Sequence, residues 1–146
     1  MFRGHFEHTV DPKGRVSIPS KFREALADGL GDKLVIVPHG DSLDVHPLKM
    51  WEDLEAKVSA LPRLDPDKRR YRHIYLSRGL DVMLDPQGRI QIPQKYREKA
   101  GLVKDVLIVG MTDYFEVWDT ERWDHHERDE IGALEELNGK LAAKGV

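Results

Sequence analysis

Apolar and polar residues alternate in patterns that predict two sets of short strands in the same order. Residues 15–18 and 89–92 alternate between polar and apolar side chains, as half-buried strands do. The apolar runs at 33–37 and 105–109 predict a second pair of strands further along each half. The chain therefore reads as two half-chains that contain the same elements.

Short helices are predicted between these strands, at residues 20–26 and 94–100. Pro19 and Pro93 stand just ahead of them, where proline is favoured because the first N–H groups of a helix have no partner within it. The repeated order of strand, proline and helix strengthens the division of the chain into two similar halves.

A further alternating strand and a longer helix complete each half. The strands are predicted at residues 42–46 and 114–118, and Trp51 and Trp123 lie on the helices that follow. The last helix begins near Asp119 and is expected to continue close to the C-terminus as one amphipathic helix. Its apolar stripe predicts packing on the other half or on a neighbouring subunit.

One short segment occurs twice and links the two halves. DPKGRVSIP at residues 11–19 returns as DPQGRIQIP at residues 85–93. Asp, Pro and Gly predict a tight hairpin turn, since Asp can cap its own backbone, Pro presets the turn and Gly accepts positive φ. The turn-forming residues are Asp11, Gly14, Asp85 and Gly88. Each half alone is too small to bury much, so we expect the halves to share a core or to pack on identical copies.

Composition and charge narrow the classes of function. The chain has 146 residues, no cysteine and a net charge of −3, which excludes a disulfide framework and argues against a general polyanion binder. Basic residues nevertheless dominate 63–78, and acidic residues dominate from residue 113 onward. No apolar run suits a signal peptide or a membrane span, so we expect a cytoplasmic protein with no membrane partner.

Arg15 and Arg89 occur at the same position of both copies, although the turn itself does not require an arginine there. A guanidinium beside a rigid turn is able to enter a DNA groove and pair with guanine, or to bind a phosphate. Arg3, Lys13 and Arg78 lie close to the turns in sequence and add candidate phosphate contacts. The competing interpretation is that each arginine forms only a structural ion pair with the aspartate of its own turn.

Enzymatic signatures are missing from the sequence. It contains no nucleophile elbow, phosphate-binding loop or dinucleotide fingerprint, so we expect no catalysis, no cofactor and no small-molecule substrate. His125 and His126 invite a metal hypothesis, but adjacent residues point to different faces of a helix, and no metal site is expected there.

The doubled turn, the opening Met1-Phe2-Arg3-Gly4 and the segment Phe115-Glu116-Val117-Trp118 together resemble the MraZ family of bacterial transcriptional regulators. The resemblance extends over nearly the whole chain and also includes Arg23 and Trp123. It implies an α+β fold with a mainly β core, in which two tandem swapped-hairpin units of the SpoVT/AbrB type form a pseudo-two-fold β-barrel with helical extensions.

The division of the chain follows from this resemblance and the repeat. The expected parts are a first unit at 5–49, a helical connector at 50–78, a second unit at 79–122 and a C-terminal helix at 123–146.

The resemblance also implies a function. It predicts a nucleoid-associated repressor that forms a ring-shaped homo-oligomer and binds double-stranded DNA at direct repeats upstream of the division and cell wall gene cluster. Motif matching assigns DNA contact to Arg15 and Arg89, with support from Lys13 and Arg3. Gln87 stands where the first copy has Lys13, which predicts a smaller contribution from the second turn.

An interaction module of the same fold type is the alternative. In that hypothesis the turns are structural, and the amphipathic C-terminal helix binds a protein partner, as in an antitoxin. The acidic tail of the chain favours this alternative slightly.

Overall fold

The computed structural model describes residues 1–146 and has an α+β fold built mainly on antiparallel strands. The strands are β1 His5–Thr9, β2 Arg15–Ser17, β3 Lys33–His39, β4 Ser42–Pro47, β5 Leu80–Met83, β6 Arg89–Gln91, β7 Asp105–Gly110 and β8 Phe115–Asp119. The helices are α1 Ser20–Ala25, α2 Leu48–Ser59, α3 Pro66–Ile74, α4 Gln94–Ala100, α5 Thr120–Glu130 and α6 Leu134–Ala142.

Six strands form one sheet in the order β1-β7-β8-β4-β3-β5, with every neighbouring pair antiparallel. The hairpins β3–β4 and β7–β8 meet at its centre, where Leu43 pairs with Val117 and Val45 with Phe115. Each edge strand pairs with a strand from the other half of the chain. Strand β1 pairs with β7 of the second half, and β5 pairs with β3 of the first half.

Strands β2 and β6 leave the sheet and pair with each other as a separate two-stranded ribbon. The predicted hairpin turn forms, but its strand pairing is short: one antiparallel bridge, Val10 to Val16, and a hydrogen bond from Asp11 N–H to the Arg15 carbonyl join β2 to the chain before the turn. The other edge of β2 pairs with β6 of the other half over all three of its residues. The expected closed barrel is not confirmed, because the six-stranded sheet ends at β1 and β5 without joining them.

The two halves share one hydrophobic core beneath the ribbon. Val16 and Ile90 are fully buried there, together with aromatic rings from both halves. Phe22 lies 5.1 Å from Phe2 and 5.2 Å from Phe115 between ring centroids. Edge-on and tilted aromatic contacts at this spacing are favourable, so the core joins the N-terminus, α1 and β8.

The opposite face of the sheet is covered by the longer helices. Val35 and Val37 pack there against Trp51 of α2, and Trp118 packs against Trp123 of α5. The neighbouring side chains Leu34 and Ile36 of β3 belong to the main core instead. Burial on both faces explains why β3 and β7 read as continuous apolar runs rather than alternating ones.

Several helix boundaries agree with the sequence, and one does not. Asp65 and Asp119 cap α3 and α5 by accepting backbone hydrogen bonds, and Gly101 ends α4 in the left-handed conformation. The single C-terminal helix expected from the apolar stripe is wrong, because a tight turn over Ile131–Ala133 divides it into α5 and α6. Gly132 at this break lowers the cost of leaving the α-helix. None of the helices is long and apolar enough to cross a membrane.

The shared core predicts a large effect at Phe22, which is 1% exposed. Phe22→Ala should lower the free energy of unfolding by roughly 3–5 kcal/mol, because it removes contacts to both halves and leaves a cavity. Denaturant unfolding at fixed chain concentration measures this change. Ile74→Ala, at a side chain that is 63% exposed, is the control and should change it by less than about 0.5 kcal/mol. A Phe22→Ala value as small as the control would contradict the shared core.

Candidate nucleic-acid interface

Asp11 organises the first turn through both carboxylate oxygens. Its Oδ1 accepts hydrogen bonds from the backbone N–H of Lys13 at 3.0 Å and of Arg15 at 2.8 Å. Its Oδ2 accepts from Arg15 Nε at 2.7 Å. The Gly14 N–H closes the turn by donating to the Asp11 carbonyl at 2.9 Å. A short carboxylate side chain can reach back to its own backbone in this way, which is why Asp suits the position.

Asp85 makes the same set of contacts in the second turn. Its Oδ1 accepts from the backbone N–H of Gln87 and of Arg89, both at 2.9 Å, and its Oδ2 accepts from Arg89 Nε at 2.8 Å. Gln87 takes part only through its backbone, as Lys13 does in the first turn. The exchange of Lys for Gln therefore changes the charge at the tip and leaves the turn bonding intact.

Each turn rests on the other half of the chain. The Gly14 carbonyl accepts from Ile92 N–H at 2.8 Å, and the Gly88 carbonyl accepts from Ile18 N–H at 2.9 Å. Gly14 and Gly88 have φ values of +82° and +76°, which favour glycine. A Cβ at Gly14 would also lie 1.5 Å from Arg97 Nη1. Glycine is thus required by both the turn and the crossed packing.

The ribbon places Arg15 and Arg89 on one face. Arg15 pairs with Gln91, and Ser17 pairs with Arg89, so these four side chains share the side opposite to buried Val16 and Ile90. Two residues along a strand and one strand across put the Cα atoms of the two arginines roughly 8 Å apart. The two sequence copies therefore contribute to a single solvent-facing surface, which we call the ribbon face (Arg15, Ser17, Arg89 and Gln91).

The electrostatics of the turns hold each arginine in place. Hydrogen bonds from the backbone N–H and then from the side chain of Arg15 hold the pKa of Asp11 below its ordinary value, and Arg89 does the same for Asp85. Each carboxylate therefore stays ionised to a lower pH than an ordinary aspartate does. The side chains of Arg15 and Arg89 remain 30% and 26% exposed. Each guanidinium gives Nε to its aspartate, and its terminal amino groups make no hydrogen bond within the chain.

The expected ion-pair alternative is thus present in the geometry, but it engages only one edge of each guanidinium. Arginine has five N–H donors in a planar fork, and the two terminal amino groups form an edge that pairs bidentately with guanine or phosphate. An arginine fixed by a carboxylate loses less side-chain freedom when it binds. The ion pair and a DNA contact are therefore compatible.

The other candidate cations, Lys13, Arg3 and Arg78, lie at different distances from the ribbon face. Lys13 is exposed at the first tip. Arg3 lies before the far end of β1, whose five residues extend about 17 Å toward the Asp11 turn. Arg78 likewise precedes β5 and donates to the Ile74 carbonyl at 3.3 Å. The structure brings Lys13, Arg15 and Arg89 to the turns, and it leaves Arg3 and Arg78 at the opposite ends of the edge strands.

Arg23 and Arg97 are two recurring residues whose place the sequence did not reveal. Arg97 Nη1 donates to the Ile92 carbonyl at 2.5 Å, and Arg23 Nε donates to the Ile18 carbonyl at 3.1 Å. Each lies against the glycine of the opposite turn. The sequence marked them in the same way as Arg15 and Arg89: an arginine occurs at the same position of both copies, although the helix there does not require one.

The basic segment on α3 has mainly structural contacts at two of its positions. Lys68 Nζ donates to the carbonyls of Ser59 and Leu61, at 3.0 and 2.9 Å. Arg72 donates to Ser59 Oγ at 3.2 Å. These bonds attach α3 to the end of α2, which accounts for part of the charge in this segment.

A polar cluster that sequence reasoning missed lies between β3, β4 and β8. Ligand atoms of His39, Asp44 and Glu116 all lie within 4.8 Å of one another. His125 and His126 take no part in this cluster, and His126 stacks on Trp118 with ring centroids 4.7 Å apart. No local sequence motif predicts this cluster, because its three residues lie on three different strands.

Comparison with known proteins gives a consistent result over the whole chain. The family model described as "MraZ protein, putative antitoxin-like" matches residues 1–74 and 78–136. A protein of Acetivibrio thermocellus named "Transcriptional regulator MraZ" is 44% identical over 147 aligned residues, which cover 100% of both chains. Proteins of the same name from Natranaerobius thermophilus and Herpetosiphon aurantiacus are 38% and 39% identical, and the alignments cover 94% and 84% of both chains. The chain therefore belongs to the MraZ family.

Proposed function

We propose that this protein is a sequence-specific DNA-binding transcriptional regulator that contacts the duplex through the ribbon face. The observation that carries the proposal is that Arg15 and Arg89 share one exposed surface, each held through Nε by the aspartate of its own turn. The relatives named as transcriptional regulators support the same class of function.

The dimensions of the ribbon suit the major groove of DNA. That groove admits a two-stranded β-ribbon, and arginine pairs there with the O6 and N7 atoms of guanine. The terminal amino groups of Arg15 and Arg89 supply this edge in the proposed complex. Ser17 and Gln91 lie beside them on the same face and offer hydroxyl and amide groups for adjacent base edges or phosphates.

Phosphate contacts would give most of the sequence-independent affinity. We assign this role to Lys13 at the first tip and, more peripherally, to Arg3 and Arg78. Because the chain as a whole carries a net charge of −3, we expect few phosphate contacts per chain, and each should add about one counterion to the salt dependence of binding. The first turn contributes more than the second, since Gln87 carries no charge.

Several weak contacts become effective when they are joined in one assembly. We propose a ring-shaped homo-oligomer that places several ribbon faces on direct repeats upstream of the division and cell wall gene cluster, where it represses transcription at the nucleoid in the cytoplasm. Linked sites raise the effective concentration of each further contact. The exposed side chains of Leu134, Leu137 and Leu141 on α6 are the proposed subunit contact.

The finer description of the fold belongs to the same proposal. We assign residues 5–49 and 79–122 to two tandem swapped-hairpin units of the SpoVT/AbrB type, related by a pseudo-two-fold axis in a barrel-like body. Residues 50–78 are the connector and residues 123–146 the C-terminal helical extension. The exchange of edge strands and the matched bonds of Asp11 and Asp85 support this division.

An antitoxin-like interaction module is the second candidate. The same exposed apolar side chains of α6 favour it, because they offer a surface for another protein as readily as for another subunit. In this case the ion pairs at Asp11 and Asp85 would serve the turns alone.

The arginines provide the main test of the proposal. Arg15→Ala and Arg89→Ala should each weaken binding to the DNA just upstream of the gene, because each loses a bidentate contact of about 1–3 kcal/mol. Fluorescence anisotropy with a labelled duplex at moderate salt measures the affinity. Arg63→Ala, at an exposed arginine before α3, is the charge-matched control and should bind like the unmodified protein.

Circular dichroism and light scattering should show unchanged folding and assembly in all three variants. Unchanged DNA affinity of both Arg15→Ala and Arg89→Ala would contradict the proposed contact. A loss of equal size in Arg63→Ala would show that the effect is general electrostatics rather than the ribbon face.

The unequal tips generate a reciprocal prediction. Lys13→Gln should lower the dependence of log affinity on log salt by about one counterion per bound tip, and Gln87→Lys should raise it by about the same amount. Titrations at several salt concentrations measure both slopes. Equal slopes in the two variants and the unmodified protein would show that neither tip lies near a phosphate.

The surface of α6 separates the two candidate functions. Leu137→Glu should dissociate the homo-oligomer and reduce affinity for DNA with several repeats, because it places a charge in the proposed apolar contact. Size-exclusion chromatography with light scattering measures the molar mass. An intact oligomer with unchanged DNA binding would contradict the subunit contact and favour the antitoxin-like alternative, in which this surface binds another protein.

A further inference from the structure

A buried carboxylate on β4 has one oxygen without a partner. Asp44 is 1% exposed, and its Oδ2 accepts hydrogen bonds from the Tyr75 hydroxyl at 2.6 Å and pairs with His39 Nδ1 at 3.0 Å. Its Oδ1 is buried and has no hydrogen-bond partner. Buried polar atoms are almost always satisfied, so an unpaired buried carboxylate oxygen is a candidate contact for a positively charged or donating group.

A second carboxylate lies directly across from the first. Glu116 of β8 is the cross-strand partner of Asp44, and the two side chains therefore share one face of the sheet. Like charges at directly opposed positions repel each other, and this repulsion is stronger where burial reduces screening. Burial, and to a lesser extent Asp44, raises the pKa of Glu116. The only ion-pair partner of Asp44 is His39, and no lysine or arginine neutralises the pair.

His39 completes a set of three candidate ligands. It ends β3 beside the β3–β4 turn, and its side chain is 62% exposed. One nitrogen and two carboxylate oxygens from the three residues lie within 4.8 Å of one another. A zinc ion binds nitrogen and oxygen ligands at about 2.0–2.2 Å, so modest rotamer adjustment would bring the three atoms into one coordination sphere.

The surroundings of Asp44 fix its orientation. The Tyr75 hydroxyl donates to Asp44 Oδ2, and it must then accept the hydrogen bond that joins it to His46 Nε2 at 2.8 Å. On the other side, Trp118 Nε1 donates to Glu116 Oε1 at 2.9 Å. Outer partners of this kind orient carboxylate ligands in metal sites. Both carboxylates thus have one oriented oxygen, while Asp44 Oδ1 and His39 Nε2 have no hydrogen-bond partner in the chain, and a metal ion that took His39 Nδ1 would replace its bond to Asp44 Oδ2.

Two clefts give access to the cluster. One of about 400 Å³ is lined by His39, Asp44 and the tyrosines Tyr71, Tyr75 and Tyr114. The other, of about 370 Å³, is lined by His39 and Glu116. The three candidate ligands therefore stand between solvent-accessible spaces, which supply a path for an ion and room for a water ligand.

We propose that His39, Asp44 and Glu116 form a binding site for one divalent transition-metal ion of the Zn²⁺ class, with water completing the coordination. A mixed set of one imidazole and two carboxylates suits such ions better than Mg²⁺ or Ca²⁺, which prefer oxygen ligands alone. The ion would join β3 and β4 of the first half to β8 of the second. It would act as a structural clamp between the halves, independently of the ribbon face.

The test uses the full chain without an affinity tag, after removal of metal with EDTA and dialysis. Titration calorimetry with ZnCl₂ should show one ion per chain, and the melting temperature should rise when the ion is present, because it binds the folded state. Absorption spectroscopy with Co²⁺ should give the visible bands of a low-symmetry nitrogen and oxygen site.

Variants assign the ligands. Replacement of buried Asp44 risks unfolding, so His39→Ala and Glu116→Gln carry the test, and each should weaken Zn²⁺ binding by at least about tenfold. His125→Ala and Glu52→Gln, at exposed positions on α5 and α2, are the matched controls and should bind as the unmodified chain does. The proposal is overturned if the chain binds no Zn²⁺ or Co²⁺. It is also overturned if binding survives in both ligand variants, or is lost in His125→Ala.

Discussion

The crossed pairing of β2 with β6 is the constraint on which the rest of the molecule depends. Each strand finds its hydrogen-bonding partner in the other half, and each turn glycine accepts a bond from the far end of the opposite strand. The edge strands β1 and β5 likewise pair with strands of the other half. Because the core residues Val16 and Ile90 come from the two strands of this ribbon, neither half can bury its own apolar side chains alone. The candidate interface is therefore built from both halves and requires them to pack together.

The same pairing explains how a protein of net negative charge can present two arginines on one exposed surface. It brings two arginines from distant parts of the sequence to one short ribbon, and the carboxylates of Asp11 and Asp85 fix them without consuming their terminal amino groups. At the other side of the sheet, the junction of the halves at β4 and β8 opposes two carboxylates, Asp44 and Glu116. In our account the two arginines bind an anion, DNA, and the two carboxylates bind a cation.

Local patterns predicted the elements of this fold better than their pairing. Alternation, proline and glycine placed β2, α4 and the hairpin β3–β4 within a residue or two, since these features act over short distances along the chain. The partner of β2 could not be read locally, because Asp11 and Gly14 form the same turn whether the strands beyond them pair with each other or not. The break at Gly132 was obscured by a continuous apolar stripe, and the cluster at Asp44 was hidden because its members lie on three separate strands.

Ultraviolet cross-linking of the full chain to the DNA just upstream of its gene, followed by mass spectrometry of the attached peptides, tests the central claim most directly. Our account predicts cross-links in the two peptides that carry the turns and the ribbon, residues 12–17 and 86–91, with more in the first because of Lys13. Cross-links confined to the basic helix α3 or to α6 would contradict it, since the ribbon face would then lie away from the DNA.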